Sequence, residues 1–168
     1  SWANVENLTG AMVSGLVKAF EVKGNATYRA AAEDGGDFIL NLTGYNGPGS
    51  FVGFTGEEAH SLTRLSEISA TPGSNGWRTA VGDFYQLLTD YSYTGAFIAD
   101  IQAGYPDDSD SLPLFDLSHH TMAAYYVDAA DKALWRQAML DTLAAVDSDD
   151  WYPVMSLGAA VSALAGTG

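Results

Sequence analysis

The sequence predicts an all-α domain of antiparallel helical hairpins, a partial α/α toroid of about seven helices within one domain spanning 1–168. Three observations predict it. Apolar residues recur with the helical period of 3.6 in seven segments. Short polar turns join those segments in pairs. An aromatic-Arg-x-Ala-x-x-Asp pattern returns in the second, fourth and sixth segments.

The first helix is expected at about 6–22, with Leu8, Met12, Leu16 and Ala19 on its inner face. The second covers about 26–42 and turns Tyr28, Ala31, Gly35, Phe38 and Leu42 inward. The third, about 56–70, carries Ala59, Leu62, Leu65 and Ile68. The fourth, about 75–91, carries Trp77, Val81, Phe84, Leu88 and Tyr91. The fifth, about 116–129, carries His119, Met122, Tyr126 and Val127. The sixth, about 131–146, carries Trp135, Met139, Leu143 and Val146. The seventh, about 153–165, carries Val154, Leu157, Val161 and Leu164 and has no partner helix after it.

The repeated pattern occupies 28–34, 77–83 and 135–141. It reads either as three equivalent sites or as a structural repeat. The structural reading is preferred, because repeat units bury one another's apolar faces. The aromatic residue then anchors the first turn, the alanine permits close helix approach, and Arg and Asp pair between hairpins.

Links 22–25, 70–74 and 128–131 are short turns, whereas 43–55, 92–115 and 148–152 are richer in glycine, aromatic and acidic residues. Antiparallel packing puts the short turns at one end and the elaborate links at the other. Long links in compact domains are disproportionately functional, so that end is the expected functional face. This pattern resembles the α/α-toroid proteins, which include the six-hairpin glycosidases, some polysaccharide lyases and the terpene cyclase-like folds. Successive hairpins, small residues in the inner helices and aromatic loops at one end carry the resemblance. It implies a loop end directed at carbohydrate. A complete six-hairpin ring is larger than this chain, which then stands as a partial ring, a fragment, or a unit that completes a ring or stack with other copies. No diagnostic motif transfers a family catalytic residue.

Composition bounds the function. Hydrophobic residues make up 47% and charged residues 17%, a globular balance. The formal net charge is −14, from 21 acidic and 7 basic residues. A nucleic-acid binder needs a basic patch, and seven scattered cations supply none. The acidity fits solubility, a saline habitat or cation binding. No apolar run reaches the roughly 18–20 residues of a membrane span. Without cysteine there is no disulfide, thiolate metal site or cysteine nucleophile. The chain opens at Ser1, which reads as a processed product or an excised piece. Sequons at Asn7, Asn25 and Asn41 fit a secreted, glycosylated chain; Asn7 and Asn25 read equally well as helix N-caps.

Candidate chemistry is sparse. Glu57 and Glu58 open the third helix beside His60. Paired carboxylates do general acid–base work on glycosidic bonds, but adjacent side chains diverge on a helix. Glu58 therefore needs a partner from elsewhere, such as Asp116 or Asp100; otherwise the pair simply suits the positive end of a helix. Asp116 and His120 are spaced i, i+4 at the expected start of the fifth helix, as a half-site for a metal or a base oriented by a carboxylate. The plainer alternative is a capping aspartate and a core histidine. Asp107, Asp108 and Asp110 gather hard oxygens that suit calcium, without the glycine and terminal glutamate of an EF-hand; a solvated acidic loop reads the same way. Trp2, Tyr45, Phe54, Tyr105 and Trp151 lie in or beside the elaborate links, where aromatic rings stack on sugars or close the core.

The leading expectation is an extracellular domain that engages carbohydrate through its loop end, with Glu58, Asp116 and His120 as acid–base candidates and calcium as the candidate ion. The alternative is a structural subunit that assembles with copies of itself into a filament or surface layer. A third is a protein-binding module.

Overall fold

Each of the seven periodic segments is a helix, and an eighth helix stands where a linker is expected. The computed structural model describes residues 5–50, 52–70, 76–104, 110–147 and 153–168. Among them, helices account for all regular structure: α1 (Val5–Lys23), α2 (Ala26–Thr43), α3 (Gly56–Ile68), α4 (Gly76–Asp90), α5 (Thr94–Ala103), α6 (Ser111–Tyr126), α7 (Lys132–Leu143) and α8 (Pro153–Thr167). The chain divides inside α4 into two units, Ser1–Phe84 and Tyr85–Gly168.

In the first unit α1 packs against both α2 and α3. Gly24 ends α1 in the left-handed conformation, φ 65°, which glycine adopts without steric cost. Asn25 follows as N-cap of α2, its side chain accepting from the Thr27 amide at 2.9 Å. The inner faces differ from those that large apolar residues predict. Val13 and Val17 are buried on α1, and Ala32, Gly36 and Ile39 on α2. Met12 is 66% exposed and Phe38 46%. The cause is close helix approach. A Cβ at Gly10 would stand 3.2 Å from the Glu57 and Glu58 backbone, and one at Gly36 would stand 2.3 Å from Leu65 Cδ2. Glycine and alanine mark that contact, and the bulky residues turn away from it.

In the second unit α6 packs against both α7 and α8. It begins at Ser111 rather than near 116, because Pro113 suits a first turn whose amides have no helical partner. Asp116 therefore lies in the second turn, past the N-cap position, which Asp110 occupies. The unexpected helix α5 buries only Thr94 and Ile98 among its residues, so it carries no apolar stripe to announce it. Helix α8 lays Ser156, Ala159, Ala160 and Ala163 toward the protein. Its expected core residues Val154 and Val161 face outward at 83% and 66% exposure.

The repeat acts as scaffold, unevenly. Ala80 and Ala138 are buried, whereas the first copy buries Ala32 in place of the exposed Ala31. Several of the repeat's polar residues engage partners within their own unit. Asp83 accepts from the Tyr45 hydroxyl, Asp141 accepts from Gln137, and Arg29 sits 3.7 Å from Glu33.

Candidate functional site in the second unit

Glu58 serves its own helix. Thr55 is the N-cap of α3, and its hydroxyl oxygen accepts from the Glu58 amide at 3.3 Å. The Glu58 carboxylate accepts in return from the Thr55 amide at 2.9 Å and the Thr55 hydroxyl at 3.1 Å. This reciprocal box satisfies donors that a helix start leaves open, and it holds a buried carboxylate. Phe54 is also buried, edge-on to Phe84 with ring centroids 5.6 Å apart. The Tyr45 hydroxyl is taken by Asp83, and burial with that carboxylate pushes its pKa up to about 12.

Asp116 and His120 come together in the second unit. His120 Nε2 lies 4.0 Å from Asp116 Oδ2, too long for a hydrogen bond. Burial drives the His120 pKa down to about 3, so the contact is not an ion pair at neutral pH. The ring stacks on Trp135 with centroids 4.6 Å apart and meets Phe97 edge-on at 5.8 Å. The Tyr85 hydroxyl lies 2.9 Å from His120 Nδ1 and 3.1 Å from the His120 carbonyl oxygen. When it donates to the carbonyl, its oxygen accepts from Nδ1–H; when it donates to Nδ1, the ring proton sits on Nε2. Either way the imidazole is neutral. His119, beside it, is held down to about 4, by burial first and then by its neighbour. A base must reach its substrate, and His120 is fully enclosed.

No family model, curated protein or solved structure matches this chain. Function therefore rests on geometry.

The second unit also holds an open pocket of about 280 Å³, lined by Thr89, Ser92, Thr94, Gly95, Asp131 and Leu134. The Thr94 hydroxyl at the start of α5 donates to Asp131 just before α7. This bond overturns the two-ended scheme within this unit. The missed α5 reverses the chain once more, so the α4–α5 turn meets the α6–α7 turn. Asp131 was legible in the sequence as a turn aspartate, but nothing there signals its meeting with Thr94.

Among the described residues of the second unit, Asp110, Asp116 and His120 do not line that pocket. Asp110 sits at the N-cap position of α6 without a side-chain capping bond. Asp107 and Asp108 lie outside the described residues, as do Trp2, Tyr105 and Trp151. Among the described residues no group of three His, Asp or Glu side chains is arranged for a metal ion. Asn7 and Asn41 lie inside α1 and α2, not in loops or after a helix, while Asn25 is exposed at a turn.

Proposed function

We propose that this chain is a non-catalytic helical module that assembles head to tail with copies of itself. The observation that carries the reading is the outer face of α8. The helix holds no charged residue, and Val154, Leu157 and Val161 stand exposed at helical spacing. A helix apolar all round ordinarily lies buried, and exposed apolar patches mark interaction surfaces. The first unit exposes other apolar side chains, Phe38 and Leu42 one turn apart on α2 and Met12 on α1. Two unlike faces make a heterologous contact, which grows when the rotation between copies does not close. Charge favours the α8 face. Copies of net charge −14 repel one another, and least where a face carries no charge. Sedimentation velocity over a wide concentration range tests this. Oligomers are expected for the parent chain, and Val161→Lys or Phe38→Lys is expected to halt growth. Lysine reduces the magnitude of the negative net charge, so the loss cannot come from added repulsion. A parent chain that stays monomeric throughout would contradict the reading.

Carbohydrate binding is the second reading, favoured by Tyr91, which stands 72% exposed on the α4–α5 turn. An exposed aromatic face suits a sugar ring, as the toroid resemblance also implies. Binding on a glycan array with calcium present, lost in Tyr91→Ala, would support it; a blank array would remove it. An extracellular setting belongs with both readings. A mass shift on enzymatic removal of N-glycans from protein isolated from its native source tests it at Asn25.

A further inference from the structure

Asn46 stands before Gly47 in the link from α2 to α3, between two fixed points. Before it, the Tyr45 amide donates to the Leu40 carbonyl at 3.1 Å, and the Tyr45 hydroxyl donates to Asp83. After it, the Ser50 amide donates to the Gly47 carbonyl at 3.0 Å. The Ser50 hydroxyl lies 2.6 Å from Asn46 Oδ1 and 2.6 Å from the Gly47 carbonyl oxygen, so its proton serves either acceptor. Its oxygen accepts from the Asn46 amide at 3.1 Å. Asn46 is exposed. Gly47 holds φ 120°, which glycine adopts without steric cost, and a Cβ there would meet nothing within 4 Å. The Gly47 amide has no hydrogen-bond partner among the described residues.

We propose that Asn46 is a site of self-modification, where the chain converts its own carboxamide into a carboxylate. The Gly47 amide nitrogen gives its proton to hydroxide and bonds to Asn46 Cγ, closing a cyclic imide. The carboxamide C–N bond breaks, and its nitrogen takes a proton from water and leaves as ammonia. Water then adds to either imide carbonyl carbon and opens the ring. The product is aspartate or, with the backbone routed through the side-chain carbon, isoaspartate. The loop supplies what this needs. The attacking nitrogen is held in no hydrogen bond, and no side chain on Gly47 blocks its approach. Ring closure within one chain has the advantage of neighbouring groups. The Ser50 hydroxyl donates to the oxygen on which negative charge gathers as the nitrogen adds. Asn41 lacks this arrangement, because it lies within α2, where the next amide belongs to the helical ladder. Each conversion adds one negative charge to a chain already at −14. Isoaspartate also lengthens the backbone between the Tyr45 and Ser50 anchors.

Timed incubation of the purified chain at mildly alkaline pH, followed by peptide mapping with mass spectrometry, tests the proposal. The same chain unfolded in guanidinium chloride is the reference. Aspartate and isoaspartate are expected at position 46, faster as pH rises, while Asn41 stays unchanged. The folded chain should convert Asn46 at least as fast as the unfolded one. Ser50→Ala is expected to slow the folded chain roughly two- to tenfold, the worth of one hydrogen bond, and to leave the unfolded rate unchanged. Ser50→Thr, which keeps the hydroxyl, should retain the parent rate. Slower conversion in the folded parent would mean that the loop holds the carboxamide away from attack. A Ser50→Ala rate equal to or above the parent's would make the hydroxyl a restraint instead of an activator. Either result would overturn the proposal. If Ser50→Ala fails to fold, the comparison of folded with unfolded parent chain decides.

Discussion

A methyl group on Gly36 would stand 2.3 Å from Leu65 Cδ2 and 2.9 Å from Trp77 Nε1. Neither neighbour yields freely, since Leu65 is fully buried and the Trp77 indole donates to Asp37 at 2.9 Å. Gly36→Ala is therefore expected to destabilise the first unit by about 1–3 kcal/mol despite alanine's better helix propensity. Gly15→Ala on α1, where a Cβ meets nothing within 4 Å, is expected to stabilise by up to about 1 kcal/mol. Thermal unfolding of the two variants checks the contrast. The histidines give a second prediction. Folded, His120 and His119 titrate near 3 and 4, whereas the unfolded chain takes up these protons near about 6.5. Their contribution is complete above about pH 6.5 and lost as pH falls toward 4. Each costs about 1.4 kcal/mol per pH unit across that window. Denaturant unfolding between pH 7 and 4.5 should show the slope, reduced by one proton in His120→Phe. An unchanged slope in that variant would mean that the ring is solvated.

At the scale of the element, α8 separates size from burial. Its inward face is made of Ser156, Ala159, Ala160 and Ala163, while valine and leucine face out. Ala160→Leu is expected to cost about 1–3 kcal/mol through overpacking against the protein. Val161→Lys should stay within about 0.5 kcal/mol in the monomer. Chemical denaturation at a concentration below assembly checks both. The same inversion explains how much the sequence reveals. Helix positions are readable wherever an apolar period exists, and α3, α4 and α7 bury the middle of their expected faces, Leu62, Phe84 and Trp135 among them, while Tyr91 at the expected end of α4 stands exposed. On α1, α2 and α8 the period is right but the face is not. Hydrophobic patterning ranks residues by size, whereas closely packed helices select glycine, alanine and serine. Helix α5 has no strong period and was hidden in a link. The Asp116–His120 pair was legible from its i, i+4 spacing. Its enclosure by Tyr85, Phe97 and Trp135 was not, because those rings come from three other helices.

At the scale of the whole molecule, net charge opposes assembly and apolar surface drives it. Fully burying a valine or leucine stabilises by about 1.5–3 kcal/mol, and association costs roughly 4–15 kcal/mol. A contact of a few such residues is therefore weak unless repulsion is relieved. Screening shortens from about 10 Å at 0.1 M salt to about 3 Å at 1 M, so oligomers should grow as sodium chloride is raised; dissociation by salt would mean that ion pairs hold the contact. The most direct measurement mixes the two single-face variants. Val161→Lys keeps the α1–α2 face, and Phe38→Lys keeps the α8 face. Sedimentation of each variant by itself should give monomer, and their equimolar mixture should give a heterodimer and nothing larger. A mixture that stays monomeric while the parent chain assembles would contradict head-to-tail pairing of these faces.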